Sequence, residues 1–513
     1  MKGMSMSDMI SADPTTSPKG GSAPGLTFRR GRWIDGWNPE DKNQWENGGE
    51  KIAKRNLGFS IYAEFLGFVV WQLWSIVVTY LQVGKDGNPG AFGFAFTSSQ
   101  TFWLISMPSL VGATLRFPYA WMVAKIGGRN WTIISASLLL IPTIAMAFAI
   151  GNHPVNGVGG TSYGMMLFVA ALGGFGGGNF ASSMANITFF FPQRTKGWAL
   201  GLNAAGGNIG AAVAQFTVPI LVSLTAYAMV SGGNKVPNVP IAGWFWVPFI
   251  VLAIILAIVG MNNLSSAKGD SGGYIAALKD PHMWLMSLLY IGTFGSFIGM
   301  GGAFPNLIKQ NFATYALIPI GSATVALAFL GPLVGSLARP FGGRLADKVG
   351  GASVTVGAFA VMAIAAVAAA LAMKHTWGSH LTGFIVALCC FLVLFIATGV
   401  GNGSMYKMIP NVFAYRAGSA DAQHVSAGIT TERKTSAALG IVAAFGAYGG
   451  FLIPQLFNMT TKLKGGAGGG FGGSATTDGY VLGLWWLVAA YVVFLLITLG
   501  VYVIPFIRRG TRV

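Results

Sequence analysis

The chain has 513 residues, 53% of them hydrophobic and 9% charged, with a mean hydropathy of +0.61. Soluble globular proteins carry roughly 25% charged residues, so this composition excludes a soluble protein and leaves a membrane-embedded one. The formal net charge of +17 does not indicate nucleic acid, because the basic residues fall almost entirely between the apolar runs.

Residues 1–25 are rich in Ser, Gly, Pro and Met and are expected to be disordered. Residues 1–56 lack the apolar core of a signal peptide, so the first apolar run is expected to insert as a helix and stay. Within residues 29–56, Trp33, Trp37 and Trp45 alternate with basic residues and suit a membrane interface. Asn38-Pro39-Glu40-Asp41 reads as a helix start, with Asn38 as the cap and Pro39 at the first helical position. The stretch is expected to form a cytoplasmic collar on the first membrane helix, with a protein-docking segment as the alternative.

Twelve apolar runs then reach the ~17–25 residues needed to span a bilayer. They lie near 57–82, 99–126, 131–151, 163–191, 197–228, 243–263, 282–309, 319–345, 352–374, 380–407, 435–459 and 480–507. Abundant glycine, 74 residues, suits closely packed membrane helices. With the N-terminus in the cytoplasm, 24 of the 32 lysines and arginines fall on the cytoplasmic side and 6 outside. That bias orients an inner-membrane protein with both termini in the cytoplasm. The expected organisation is a cytoplasmic segment over 1–56 and a six-helix half over 57–263. A cytoplasmic linker over 264–281, a second half over 282–507 and a tail over 508–513 complete it. The glycine-rich loop 462–477 is expected to be flexible and without chemistry. Cys389 and Cys390 are adjacent in an apolar run and are expected to pack as small hydrophobes rather than bind metal.

The chain repeats itself. LVGATLR around Arg116 recurs as LVGSLAR around Arg339, and Leu110, Val111, Gly112 and Arg116 each return 223 residues later. Asn179 returns as Asn402 at the same offset. Two parallel six-helix repeats of this kind describe the major facilitator architecture, whose substrate site lies between the halves.

The charges inside the spans point to the ligand. Arg116 and Arg339 are the two deep cations, and of fifteen carboxylates only Glu64 sits inside a span. A central arginine is costly in a bilayer. Two arginines at repeat-related positions would face one cavity and repel, and one Glu cannot neutralise both. A small exchangeable anion completes such a site, and the planar guanidinium suits planar oxyanions. The structural alternative is that each arginine snorkels or caps carbonyls. Glu64, one turn from Phe68, is open to three roles: a proton-coupling group, a partner of one arginine, or a residue at the cytoplasmic mouth. The spacing of His, Cys and carboxylates offers no metal cluster and no nucleotide motif, so neither an enzyme nor a cofactor is expected.

Residues 176–210, GGGNFASSMANITFFFPQRTKGWALGLNAAGGNIG, and 435–454, TSAALGIVAAFGAYGGFLIP, are both dominated by small residues. With LRFPYAWMVAKIGGR and LLYIGTFGSFIGM, they closely resemble the nitrate/nitrite porter family (NarK-type) of the major facilitator superfamily. The resemblance runs from the WNPED segment to the last helix. GGRLADKVGG at 342–351 resembles the superfamily's loop motif, while its first-half counterpart VAKIGGR lacks the Asp. The resemblance implies an all-α fold of twelve transmembrane helices in two pseudo-symmetric halves and alternating-access exchange of nitrate and nitrite; a monomer is expected because one chain contains both halves. It places the substrate arginines at Arg116 and Arg339, and the anion-sandwiching aromatics at Phe68, Phe180, Tyr290 and Phe294. The neighbouring amide falls on Asn208, the close-packing glycines on Gly177 and Gly449, and the gating motif on Gly343, Arg344, Asp347 and Gly350. Read from the residues alone, Phe68, Phe180 and Phe294 could be ordinary helix packing, and Tyr290 could satisfy a neighbouring carbonyl. Nitrate–proton symport through Glu64, and an anion channel or receptor without exchange, are the alternatives in function.

Overall fold

The computed structural model describes residues 25–82, 92–154, 159–228, 235–267, 271–374, 380–416, 431–465 and 474–505. The expectations for residues 1–24 and 506–513, and for residues 466–473 of the glycine-rich loop, lie outside the described residues.

Among the described residues, ten helices are long and apolar enough to cross a membrane. Helix α1 covers Glu50–Leu81. After the less apolar α2, Ser98–Ile126, come α3 (Gly128–Gly151), α4 (Tyr163–Phe190), α5 (Gln193–Leu224) and α6 (Ile241–Gly260). The second set is α7 (Pro281–Asn311), α8 (Leu330–Val349), α9 (Gly351–Lys374), α10 (Leu381–Tyr415), α11 (Ala437–Leu463) and α12 (Ala475–Val503). The two rods outside the ten, α2 and α8, carry Arg116 and Arg339, and together the rods make twelve.

Local chemistry explains the helix ends. Thr97 and Gln100 form a reciprocal capping box at the start of α2. Asp280 caps α7 and Pro281 occupies its first position. The tight α2–α3 and α8–α9 corners turn at Gly127 and Gly350, at φ 90° and 94°, in the left-handed region open to glycine. These positions are 223 residues apart, so the sequence repeat persists in the backbone.

Within the first half, α1 packs on α5 and α4, and α2 on α4; within the second, α10 packs on α8 and α9, and α9 on α12. Between halves the main contacts are α2 with α11, α5 with α8 and α1 with α7. Bonds between the halves run from mid-bundle to the face remote from the start of α1. Examples are Gln455 Nε2 to Ser106 Oγ at 2.6 Å, Gln215 Nε2 to the Gly301 carbonyl at 2.7 Å and Thr324 N to Ser223 Oγ at 2.9 Å.

Several expectations need correction. The run at 319–345 opens as a β-hairpin, Leu317–Ile320 against Ala323–Ala326, and α8 begins only at Leu330. Pro319 disfavours a helix, the β-branched Ile318, Ile320, Thr324 and Val325 favour strands, and Gly321 at φ 61° suits the tight turn. Helix α1 starts seven residues before the expected 57. Asn38 does not cap a helix; Asp41 does, accepting from the backbone of Asn43 and Gln44. Two of the three tryptophans belong to the core rather than to an interface. Trp37 and Trp45 are buried, packing edge-on against Phe190 and Phe191, and Trp37 Nε1 donates to the Phe189 carbonyl. Of the two cysteines, Cys390 packs half-buried against the core of the second half, as a small hydrophobe would, while Cys389 is exposed.

The N-terminal segment is instead a strap built into the first half. Trp33–Asp35 pairs in parallel with Asn263–Leu264 beyond α6, and Glu40 accepts from the Gln193 N–H at the start of α5. Asp41→Ala removes the only side-chain cap on its short helix, which is expected to cost about 1 kcal/mol locally. Faster amide exchange over residues 42–49, with little change elsewhere, is the measurement that checks this.

Candidate functional site

The midpoints of α2 and α8 bring the two arginines to the interface between the halves. Arg116 is 1% exposed and Arg339 3%. Both guanidinium groups face one ring: Arg116 lies 4.5 Å and Arg339 5.8 Å from the centre of Phe180. Arg116 also stands 5.0 Å from Phe294 and 5.3 Å from Trp71, and Arg339 4.8 Å from Tyr406. Such rings offer a negative face to a cation and stabilise it without adding charge.

The arginines are held differently. Arg116 donates from Nε to the Gly177 carbonyl at 3.1 Å and from Nη1 to the Ala443 carbonyl at 2.7 Å, the second bond crossing to the other half. Arg339 donates from Nη2 to the Tyr290 hydroxyl at 3.3 Å. Arg116 Nη2 and Arg339 Nη1 have no hydrogen-bond partner. Buried donors of this strength are normally satisfied, so each marks a place for an acceptor.

The aromatics form one continuous cluster. Tyr290 and Phe294 stack at 5.3 Å, Phe294 and Phe180 at 5.8 Å, and Phe68 meets Phe180 edge-on at 6.0 Å. Phe68 touches neither arginine directly but meets two rings that do, Phe180 and, edge-on at 5.4 Å, Trp71. A π-turn in α7 over Ile291–Gly295 lies between Tyr290 and the end of the cluster, where such turns re-aim side chains. Asn208 is fully buried with neither amide atom bonded, and no hydrogen bond joins it to the arginines.

The expected close-packing glycines are sites of backbone contact. A Cβ on Gly177 would lie 2.7 Å from the Trp71 indole and 2.9 Å from the Gly112 Cα. One on Gly449 would lie 2.2 Å from the Gly295 Cα. Gly446 makes room for Tyr290, whose ring a Cβ there would meet at 2.3 Å.

Glu64 pairs with neither arginine among the described residues. Its Oε2 accepts from Asn203 Nδ2 at 2.8 Å, and Asn203 also donates to Ser183 Oγ at 2.7 Å. Glu64 Oε1 is buried without a partner. This removes the arginine-partner role for Glu64 in this conformation, because the side chain is turned toward α5.

In the segment expected to gate, Asp347 forms a half-exposed ion pair with Lys407 of α10 at 2.9 Å, and Gly350 makes the α8–α9 corner. Arg344 is exposed and Gly343 half-buried. Lys407 also faces the first half, since a Cβ on Gly197 of α5 would lie 3.6 Å from its ammonium.

Sequence reasoning missed Trp71 and Tyr406. Trp71 sits three residues after Phe68, on the same helix face, which was a usable signal. Tyr406 has no aromatic counterpart in the first-half repeat, since residue 183 is Ser, so the repeat hid it.

Residues 61–454 match the family model described as Major Facilitator Superfamily. The chain is 39% identical over 443 residues to the nitrate/nitrite transporter NarU of Escherichia coli (strain K12), covering 84% of this chain and 90% of that protein. It is 33% identical over 452 residues to the probable nitrate/nitrite antiporter NarK2 of Thermus thermophilus, covering 86% and 93%. Among solved structures, a D-xylose-proton symporter superposes with a TM-score of 0.60 at 14% identity, covering 87% of this chain and 97% of that one. An inward-facing bacterial homolog of the human lysosomal transporter Spinster gives 0.59 at 17% identity, covering 86% and 94%. At these identities the structures speak for the fold alone.

Proposed function

The chain belongs to the major facilitator superfamily and, within it, to the NarK-type nitrate/nitrite porter family, and on that premise we propose that it exchanges nitrate and nitrite across the inner membrane. The observation that carries this reading is the pair of buried guanidinium groups around Phe180, each with an unpartnered N–H. Nitrate and nitrite are planar, singly charged and rich in acceptor oxygens. Either one between Arg116 and Arg339 would take the free donors and lie against aromatic faces. Asn208, buried with neither amide atom bonded, would supply a further donor to the anion. Phe68, Tyr290 and Phe294 would set the width of the slot, and Gly177 and Gly449 the approach of the helices.

Alternating access follows from the electrostatics. An anion offsets the repulsion between the guanidinium groups and lets the halves close around it. Empty, the pair sits in a low-dielectric interior where that repulsion rises severalfold over water. Reorientation of the empty carrier would be slow, which makes exchange obligatory. The Asp347–Lys407 pair, close to α5, would stand at the gate between the halves, with Gly343, Arg344 and Gly350 shaping the corner beside it. The lysine and arginine bias supports both termini in the cytoplasm, and one chain holding both halves suits a monomer.

Proton symport is the second reading, and one observation favours it: a buried carboxylate, Glu64, with a free oxygen near the site. Proteoliposomes loaded with nitrite separate the two. Antiport predicts nitrate uptake that needs internal nitrite and ignores a proton gradient, with trans-acceleration that a channel lacks. Glu64→Gln is expected to leave that exchange within about fivefold of wild type, because Gln keeps an acceptor for Asn203 at a cost of roughly 1 kcal/mol or less. Gradient-driven uptake in the wild type that Glu64→Gln abolishes, with exchange intact, would establish symport instead.

A further inference from the structure

Three helix faces that leave the arginine site continue as buried stripes toward the remote face of the bundle, and each carries polar side chains on the way. On α1, Glu64, Phe68, Gln72, Ser75 and Thr79 recur every three or four residues, and all are buried. On α7, Phe294, Ile298, Gly302, Asn306 and Gln310 recur every fourth residue, with Lys309 beside them. On α2, the line from Arg116 runs back through Gly112, Ser109 and Ile105 to Ser98.

The stripes meet. A Cβ on Gly302 would lie 3.3 Å from Ile105 and 3.7 Å from Gln72 Oε1. Gln310 Nε2 donates to Ser98 Oγ at 3.3 Å, and the Lys309 ammonium, 5.2 Å from the Tyr80 ring, donates to the Thr79 carbonyl. Yet the seam is poorly satisfied for a permanent interface. Asn306 is wholly buried with neither amide atom bonded, and Gln310 Oε1 has no partner. Apolar side chains would hold two helices together better than unpaired amides, which are costly when dry. Groups of this kind suit a surface that is wet in another conformation.

We propose that this seam is the collapsed second half of the anion path, and that Lys309, Asn306 and Gln310 form a way-station in it for small inorganic oxyanions. The proposal rests on the carrier reading. When the halves separate here, Lys309 leaves the Thr79 carbonyl and its ammonium turns to an anion, with the Asn306 and Gln310 amides as donors beside it. The ion then passes along the Gln72–Ser75 face to the arginines. Lys309 thus latches the closed seam and attracts substrate to the open one.

The test is exchange kinetics in proteoliposomes of known orientation, assayed from each face. Lys309→Gln is expected to raise the KM for nitrate about tenfold at the face where α7 ends, as for loss of one charge-assisted contact. The KM at the opposite face should stay within about twofold, and Lys309→Arg should restore the first. An unchanged KM at both faces, or an equal rise at both, overturns the proposal. A second measurement does not depend on transport. Asn306→Cys, in a chain carrying Cys389→Ser and Cys390→Ser, is treated with a membrane-impermeant thiol reagent. Labelling from the α7-end face that nitrate slows supports the path. No labelling, or labelling indifferent to nitrate, overturns it. If wild-type protein exchanges neither anion, the carrier reading fails separately, and the labelling still decides whether the seam opens to water.

Discussion

Arg339→Ala is expected to lower nitrate–nitrite exchange at least about 100-fold while leaving the protein folded. Charge-assisted hydrogen bonds contribute roughly 1.5–3 kcal/mol each, and a guanidinium that gives two to a bound anion accounts for a loss of that size. Arg339 has a light structural duty, one bond to the Tyr290 hydroxyl. Its removal should therefore abolish the rise in melting temperature that nitrate gives the wild type, without lowering the ligand-free melting temperature much. Arg116→Ala should stop exchange as well, but with a fall in ligand-free stability, because Arg116 ties the Gly177 carbonyl in its own half to the Ala443 carbonyl in the other. Arg339→Lys keeps the charge but loses the planar fork, and is expected to recover only a small part of the activity. Near-normal counterflow in Arg339→Ala would remove the anion site from this interface.

Gly449→Val should be comparably severe, for a steric rather than an electrostatic reason. A Cβ at this position would sit 2.2 Å from the Gly295 Cα, backbone against backbone, where no flexible side chain can yield. Overpacking costs typically 1–3 kcal/mol and more when backbone must shift. The displaced element is the π-turn of α7, which directs Tyr290 and Phe294 toward the arginines. Loss of monodisperse protein, or folded protein with exchange reduced more than about 50-fold, is the expected outcome. Gly449→Ala should fall between Val and wild type, since it adds the same Cβ without the branches. A fully active Gly449→Val would show that α7 and α11 need not approach so closely.

The arginine pair was legible in the sequence because burying charge in a membrane is costly enough to single out the residues that do it, and because the 223-residue repeat put both at matching places. Phe180, Tyr290 and Phe294 could be placed near the arginines only through family resemblance, since an aromatic in an apolar helix looks the same whether it packs or binds. The strap was misread for a related reason. Its tryptophans have the composition of interfacial anchors, and only the partners Phe190 and Phe191, some 150 residues away, make them core.

By itself, the sequence determined the membrane class, the duplicated halves, the cation excess and the two arginines within it, because these follow from transfer free energies and from residue identities along the chain. Only the tertiary structure decided that one ring, Phe180, faces both guanidinium groups, that Glu64 turns to Asn203 rather than to either arginine, and that Lys309 reaches the Thr79 carbonyl. Those outcomes depend on which helix faces meet and in what rotation. That is set by close contacts such as Gly177 on Gly112 and Gly449 on Gly295, between residues far apart in the chain.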